Sequence, residues 1–253
     1  MNKSELLFYD AYEQFYEMAK TSKAFADFCK EAFGEDFSQD GFSDRQQTDR
    51  ILEYIPKKKD VHILDIGCGN GKMLGYLKEK TGAFIHGFDY SEMAIATARA
   101  LYPTASEFKE GVIGEVDYPV NSFDVITSMD TMYFAKDMVA FVAQVKQWLK
   151  QDGIFFVGYQ EGDVMPRTTD ADTTELAKAL RANELNYEVT EITKQVYDLL
   201  LKKREAAMKY EAAFDKEGNR QWYEMLVGQT EYVSVPYEEF QQKMARYIYV
   251  VKK

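Results

Sequence analysis

The amino-acid sequence predicts an α/β fold in which a doubly wound, mostly parallel seven-stranded sheet carries helices on both faces. Two observations predict it. From residue 61 onward, short apolar segments of strand length alternate with segments of helical periodicity. A glycine-rich turn directly follows the first of these strands. Strands that alternate with helices in this way form parallel sheets covered on both sides.

Helices are predicted at both sides of this alternating region. Residues 4–55 place apolar side chains at helical spacing, which predicts N-terminal helices. Residues 194–230 predict two further helices, and Pro236 suits the start of another before the last strand. The seven strands are predicted at 61–66, 83–88, 105–109, 123–129, 153–159, 187–192 and 247–251.

Charge and composition disfavour several classes of function. The 253 residues include 31 Lys and Arg against 42 Asp and Glu, and this net charge of −11 repels the phosphates of nucleic acids and anionic lipids. The apolar runs are too short to span a membrane, and the first residues lack a signal-peptide pattern, so we expect a cytoplasmic protein. Cys29 and Cys68 are far apart, which argues against a disulfide framework and a zinc site, and we expect no metal.

The segment Asp65–Gly71, with the sequence DIGCGNG, is the most informative motif. A glycine turn between a strand and a helix lets the backbone approach a ligand and leaves the N–H groups of the helix N-terminus free to face it. The dinucleotide fingerprint GxGxxG is absent, because Lys72 and Leu74 stand where its third glycine is required. The motif therefore favours a ligand without pyrophosphate.

Two acidic residues indicate which chemical groups that ligand carries. Asp65, at the end of the first strand, can accept a hydrogen bond from a ligand ammonium group or from the turn. Asp89, after the second strand, stands where an acidic side chain accepts both ribose hydroxyls. An adenosine with a charged amino-acid tail meets both requirements.

At this point the sequence resembles the class I S-adenosylmethionine-dependent methyltransferases, and within them the small-molecule and quinone-type branch. Four segments carry the resemblance in the family's order: ILDIGCGNG at 63–71, GFDYS at 87–91, NSFDVI at 121–126 and LKQDG at 149–153. The resemblance implies a Rossmann-like fold and S-adenosylmethionine as the cofactor. We expect one domain, 1–253. It comprises a helical cap at 1–55, a cofactor-binding core at 56–192, a helical insertion at 193–245 and a last strand at 246–253.

The resemblance also implies roles for individual residues. Those expected to bind the cofactor are Asp65, Gly67, Cys68, Gly69, Asp89, Tyr90, Val112 and Met129. Asp130, just past the fourth strand, is a candidate catalytic residue on the same resemblance.

Other candidates follow from their position in the predicted fold. Tyr133 and Tyr159 lie near the carboxyl ends of strands four and five, where open α/β sheets bind ligands. Tyr133 is therefore a second candidate catalytic residue and Tyr159 a candidate substrate-binding residue. Phe42 and Trp222, in the two helical segments outside the core, are the other candidate substrate-binding residues.

The chain departs from the family pattern at the adenine contact. The family often has an acid after the glycine that follows the third strand, but here Gly111 is followed by Val112. Glu115, Asp117 or backbone groups remain as alternative partners for the adenine amino group, with Val112 in apolar contact with the ring.

The predicted function is transfer of a methyl group from S-adenosylmethionine to a small organic molecule, by a monomer or a homodimer. Two alternatives stay open, a non-catalytic S-adenosylmethionine-binding module and a protein methyltransferase. Methylation of nucleic acid is disfavoured by the charge and by the absence of an Asn/Asp-Pro-Pro-Tyr-like motif after the fourth strand, where Ser128–Thr131 stand.

Overall fold

The computed structural model describes residues 6–168 and 170–253, so residues 1–5 of the predicted N-terminal cap lie outside the described residues. Three helices come first: α1 (Tyr9–Thr21), α2 (Lys23–Phe33) and α3 (Arg45–Leu52). The Ser22 hydroxyl caps α2 by accepting a hydrogen bond from the Phe25 N–H, and Asp44 caps α3 in the same way. The segment between α2 and α3 forms a loop that includes Phe37–Ser43.

Seven strands form one sheet in the order β3-β2-β1-β4-β5-β7-β6, and only β7 runs antiparallel to its neighbours. This arrangement confirms the predicted mostly parallel seven-stranded sheet. The strands are β1 (His62–Ile66), β2 (Phe84–Asp89), β3 (Ser106–Glu110), β4 (Phe123–Met129), β5 (Leu149–Glu161), β6 (Asn186–Glu191) and β7 (Ala245–Lys252).

Helices cover both faces of the sheet. The helices between strands are α4 (Lys72–Thr81), α5 (Glu92–Leu101), α6 (Met138–Trp148) and α7 (Glu175–Ala182). Side-chain oxygens of Ser91, Asp137 and Thr174 cap the last three of these. Between β6 and β7 the chain forms α8 (Thr193–Lys216), α9 (Arg220–Gly228) and α10 (Tyr237–Lys243).

Strand β5 begins earlier than the predicted boundary at residue 153. Phe123 pairs with Leu149 but Val125 pairs with Ile154, so the register shifts where β5 enters the sheet. Asp152 has a positive φ of 63° within this irregular segment. The extra residues of β5 form a bulge, and their sequence lacks the apolar pattern of a strand. The sequence therefore predicts only the regular part of β5.

A helical layer lies beyond the carboxyl ends of the parallel strands. Phe15, Phe25 and Phe28 of the N-terminal helices pack against Leu199 and Phe214 of α8 in a cluster separate from the two sides of the sheet. Apolar burial of this kind is the main force that holds the two segments together, although they are distant in sequence. In the part of the chain that the structure describes, no helix is both long and apolar enough to cross a membrane.

Candidate active site

A cavity of about 910 Å³ lies between the carboxyl ends of the strands and the helical layer. This volume is at the upper end of the roughly 300–1,000 Å³ typical of small-molecule sites. Its sheet half is defined by Asp65, Gly67, Gly69, Asp89 and Met129. Its helical half is defined by Tyr12, Tyr16, Asp40, Tyr133, Lys203 and Trp222.

The glycine turn after β1 exposes its backbone to the cavity. Gly67 and Gly69 have positive φ values of 70° and 53°. A Cβ atom on Gly67 would lie 2.4 Å from Cγ2 of Thr131, and one on Gly69 would lie 2.3 Å from the Tyr16 hydroxyl. Both positions therefore require glycine, for conformation and for space.

Cys68 lies inside this turn and also lines the cavity. Its sulfur fills the space that a side chain at Gly87 would need, since a Cβ there would lie 2.6 Å from Sγ. Burial raises the pKa of the thiol well above its ordinary value, so the group is a packed thiol and not a thiolate nucleophile. Among the described residues no cluster of three or more His, Cys, Asp or Glu side chains could hold a metal ion.

Asp89, the last residue of β2, is buried at the floor of the sheet half. Its two carboxylate oxygens accept hydrogen bonds of 2.9 Å from the Gly69 and Ser91 N–H groups. Burial raises its pKa to about 6, against the opposing effect of these bonds. A carboxylate offers about four lone-pair sites, so roughly two remain for hydroxyl groups of a ligand.

Asp65 is buried beside it at the end of β1. One carboxylate oxygen accepts a 2.7 Å hydrogen bond from the Thr127 hydroxyl, and no described residue donates to the other. Burial is the main cause that raises its pKa to about 7. A cationic group placed in the cavity would compensate this buried charge.

Tyr90 and Val112 line one end of the sheet half. The Tyr90 hydroxyl donates to the Leu7 carbonyl at 3.2 Å, which ties this wall to the segment before α1. Glu115 and Asp117 line a surface groove that adjoins the cavity at Gly111 and Val112, and Asp117 accepts a 2.9 Å hydrogen bond from the Trp148 indole N–H. No carboxylate from the segment 112–117 therefore lines the main cavity.

Asp130, which follows β4, has a different role from the catalytic one predicted for it. Its carboxylate forms a buried ion pair with Arg246 of β7. It also accepts hydrogen bonds from the Ser43 hydroxyl at 2.9 Å and the Phe42 N–H at 3.3 Å. Because these partners occupy the carboxylate, we reassign Asp130 as a positioning residue that anchors the loop Phe37–Ser43.

Arg246 completes this anchor from the other side. Its side chain is fully buried, and its guanidinium donates to the Ser43 hydroxyl at 2.9 Å and to Gln47 Oε1 at 3.2 Å. A side chain at Gly158 would collide with it, since a Cβ there would lie 2.5 Å from Nη2. Asp130 itself has a left-handed backbone, with a φ of 63°.

Four other predicted residues also line the cavity. Met129 ends β4 in the sheet half, while Tyr133, Phe42 and Trp222 border the helical half. The Tyr133 hydroxyl makes no hydrogen bond to any described residue. Burial is the first cause that raises its pKa well above the ordinary value, so at neutral pH it is a hydrogen-bond donor and not a base.

Tyr159 is a correction to the predicted site. The structure does not bring it to the cavity, because its side chain is fully buried in the core cluster behind Tyr133. Its ring lies 6.3 Å from those of Tyr133 and Tyr249. The side chains of a strand alternate between the two faces, and the residue at this position points into the helix layer that includes Leu176.

The structure adds three polar residues that the sequence analysis missed. Lys203 of α8 is buried, and its ammonium donates to Gln229 Oε1 at 2.6 Å. The Gln229 amide in turn donates to the Asp40 carboxylate at 2.6 Å. A signal was present in the sequence, because Lys203 continues the apolar stripe of Val196, Leu199 and Leu200 at helical spacing.

A family model described as "Methyltransferase domain" matches residues 64–157, which carry the glycine turn, Asp89 and Asp130. This part of the chain is a methyltransferase domain of the class I, S-adenosylmethionine-dependent kind. S-adenosylmethionine is the cofactor of this family. The sheet half fits it, because Asp89 has lone pairs left for ribose hydroxyls and Asp65 has an oxygen left for an ammonium group.

Individual methyltransferases resemble the chain over part of their length. Phosphoethanolamine N-methyltransferase 1 of Arabidopsis thaliana is 31% identical over 174 residues, which is 67% of this chain and 33% of that protein. Ubiquinone biosynthesis O-methyltransferase of Neisseria meningitidis serogroup A is 33% identical over 113 residues, or 42% of this chain and 48% of that protein. The chain thus spans a third to a half of the length of these curated relatives.

A solved structure shares the fold over nearly the whole chain. It is Haemonchus contortus phosphoethanolamine N-methyltransferase 2 in complex with phosphomonomethylethanolamine and S-adenosylhomocysteine. The TM-score is 0.73 at 18% identity, and the match covers 95% of this chain and 59% of that one. At this identity the likeness concerns the fold alone.

Replacing Asp89 by Ala is expected to weaken S-adenosylmethionine binding about 10- to 100-fold, because hydrogen bonds to a charged group contribute roughly 1.5–3 kcal/mol. Isothermal titration calorimetry measures the change in Kd. Glu188→Ala is the matched control, since this exposed carboxylate on β6 lines neither the cavity nor the groove beside it. Wild-type affinity in a folded Asp89→Ala protein would contradict the assignment.

Cofactor affinity is expected to fall as the pH is lowered from 8 to 5. The pKa values of Asp89 and Asp65, raised by burial to about 6 and about 7, lie in this range. Below these values the carboxyls become protonated and lose their attraction for hydroxyl and ammonium donors. Titrations with S-adenosylhomocysteine at several pH values test this, and Asp89→Asn should flatten the dependence. Affinity that is constant or rises toward pH 5 would disprove it.

Replacing Arg246 by Met is expected to lower the free energy of unfolding by about 3–5 kcal/mol, because it leaves the Asp130 carboxylate buried without its partner. Urea denaturation measures the loss. The double variant Asp130→Asn/Arg246→Met removes both charges and should recover part of it. A single variant as stable as wild type, or a double variant less stable than the single one, would show that the pair does not hold the loop.

Proposed function

We propose that this chain transfers the methyl group of S-adenosylmethionine to a small organic acceptor. The cofactor would occupy the sheet half of the cavity and the acceptor the helical half. The observation that carries the proposal is the continuity of the cavity, whose walls run from the glycine turn and Asp89 to Lys203 and Trp222. A module that only bound the cofactor would have no need of the second half.

The sheet half supplies the groups that the cofactor needs. We assign the methionine ammonium to Asp65, the ribose hydroxyls to Asp89 and the close approach of the methionine part to the backbone of the glycine turn. Tyr90 and Val112 would flank the adenine ring. With no carboxylate from 112–117 in the cavity, the adenine amino group would be held by backbone oxygens.

The chemical demands on the protein are modest. When bound, the cofactor supplies a methyl group already activated on a sulfonium. The protein must therefore align the acceptor with that group and keep water out. The loop Phe37–Ser43, fixed by Asp130 and Arg246, covers the cavity together with α1. Tyr133 would hold the acceptor by donating a hydrogen bond.

The relatives support a small acceptor. Their names refer to phosphoethanolamine and to ubiquinone biosynthesis, which both concern small molecules. A cytoplasmic location, a monomeric or dimeric state and the absence of nucleic-acid and membrane partners remain predictions from the sequence.

The experiment is a screen for release of S-adenosylhomocysteine with amines, phenols, hydroxy acids and peptides as acceptors, alongside calorimetry of cofactor binding. Turnover with a small molecule supports the proposal. Turnover with peptides alone would favour a protein methyltransferase instead. Cofactor binding without turnover on any class would favour a non-catalytic module.

Substitutions in the helical half are expected to separate the two ligands. Replacing Phe42, Tyr133 or Trp222 by Ala should raise the acceptor KM or lower kcat, while the cofactor Kd stays nearly fixed, because these side chains border the acceptor region. Met208→Ala is the control, since this residue is exposed on α8. Unchanged kinetics in all three folded variants would place the acceptor elsewhere.

A further inference from the structure

The helical half of the cavity contains a triad of three polar side chains that are linked by hydrogen bonds. Asp40 lies on the covering loop, Lys203 on α8 and Gln229 directly after α9. The Gln229 amide group bridges the two charges, with hydrogen bonds of 2.6 Å on each side. The Lys203 ammonium also lies 3.5 Å from the backbone oxygen of Asp40.

Protein partners occupy more of the hydrogen-bonding sites of Lys203 than of Asp40. Lys203 is only 1% exposed, and its ammonium uses two of its three donors on protein oxygens. The Asp40 carboxylate accepts one bond, at Oδ1, and no described residue donates to Oδ2. Asp40 is partly exposed to the cavity. The triad therefore presents a carboxylate oxygen to a ligand more readily than an ammonium.

Charges of both signs act on the Asp40 carboxylate, the buried Lys203 beside it and Asp163 farther out. Asp163, at the mouth of the cavity, accepts a 3.3 Å hydrogen bond from the Tyr232 hydroxyl. Burial is the main cause that raises the pKa of the Tyr12 and Tyr133 hydroxyls, and the negative charges of Asp40 and Asp163 raise it further. The other rim charge is Lys136, which is exposed like Asp163, so water screens both charges alike.

Aromatic side chains surround the same space. Tyr12 and Tyr16 of α1 stack at 6.2 Å, and Trp222 of α9 packs against Phe15 at 5.9 Å. The hydroxyls of Tyr12 and Tyr16, like that of Tyr133, make no hydrogen bond to any described residue. Aromatic faces combined with a carboxylate are the usual means by which proteins bind organic ammonium groups.

We propose that the helical half of the cavity binds an organic amine, with Asp40 as the counter-charge of its ammonium group and the aromatic walls around it. The inference rests on the proposed function, because it takes the occupant of this half to be the methyl acceptor. A phosphate or carboxylate ligand fits less well, since the buried cation of the pocket is already bonded to Gln229 and Asp40.

An amine acceptor also makes use of the position of Asp40. An ammonium must lose a proton before its nitrogen can react, and burial raises the pKa of the Asp40 carboxyl, which makes it a better proton acceptor than an ordinary aspartate. The nitrogen lone pair then forms the new carbon–nitrogen bond as the carbon–sulfur bond breaks and its electron pair stays on sulfur. The proton ends on Asp40.

The test is a binding measurement that does not depend on turnover. With S-adenosylhomocysteine present, the protein is titrated with choline, with its uncharged isostere 3,3-dimethylbutan-1-ol and with benzoate. We expect choline to bind at least about tenfold more tightly than the isostere, as a paired cation among aromatic rings should. Equal affinities, or tighter binding of benzoate, would overturn the proposal.

Matched variants test which carboxylate pairs with the ammonium group of choline. Asp40→Asn keeps an oxygen for the Gln229 amide and should remove most of the preference for choline, while the Kd of S-adenosylhomocysteine stays unchanged. Asp163→Asn, at the exposed mouth, should weaken choline by about threefold. Glu188→Gln, an exposed residue of β6, is the control outside the cavity. A choline preference that survives in folded Asp40→Asn would overturn the proposal. An unchanged choline Kd in Asp163→Asn would also overturn it, and this second arm does not depend on the folding of Asp40→Asn, because Asp163 is exposed.

Turnover distinguishes this inference from the function on which it rests. Methylation of amines, with phenols and hydroxy acids inert, supports both. Methylation of phenols or hydroxy acids but of no amine would overturn the amine site and leave methyl transfer standing. Tight choline binding without methylation of any acceptor would support the amine site and count against methyl transfer.

Discussion

The ion pair between Asp130 and Arg246 is the contact on which the rest of the site depends. It joins the end of β4, the buried strand β7 and the loop Phe37–Ser43. Charges in a medium of low polarity gain little from pairing over an apolar contact, but the loss of one partner costs several kcal/mol. The pair therefore acts chiefly as a constraint on geometry. The positions of Phe42 and Asp40 follow from it.

The two halves of the cavity have different physical origins. The sheet half comes from topology, because β1 and β4 are neighbours in the sheet while their connections lead to opposite sides, which opens a crevice at their carboxyl ends. The helical half comes from packing between segments distant in sequence, where Phe15 and Phe28 meet Leu199 and Phe214. The cofactor site can therefore stay constant in a family whose acceptor sites differ.

This difference explains what the sequence could and could not predict. The sheet, the glycine turn and Asp89 depend on local pattern and short-range order, and they could be read directly. The role of Asp130 depends on Arg246, which lies in the last strand and carries no local signal. Tyr159 was misplaced because a fully buried strand gives no alternation that tells its two faces apart. Lys203 does occupy a position of an apolar stripe, but its role could be recognised only together with Asp40 and Gln229.

The backbone at Asp130 limits which residue can stand there. Its left-handed conformation suits glycine, asparagine and aspartate, whose small or self-bonding side chains tolerate a positive φ. The partner Arg246 requires a negative charge, which excludes glycine and asparagine. Glutamate carries the charge but fits the backbone poorly. Aspartate alone among the natural amino acids meets both conditions, so drift at this position during evolution would be confined to a single residue for as long as the arginine is kept.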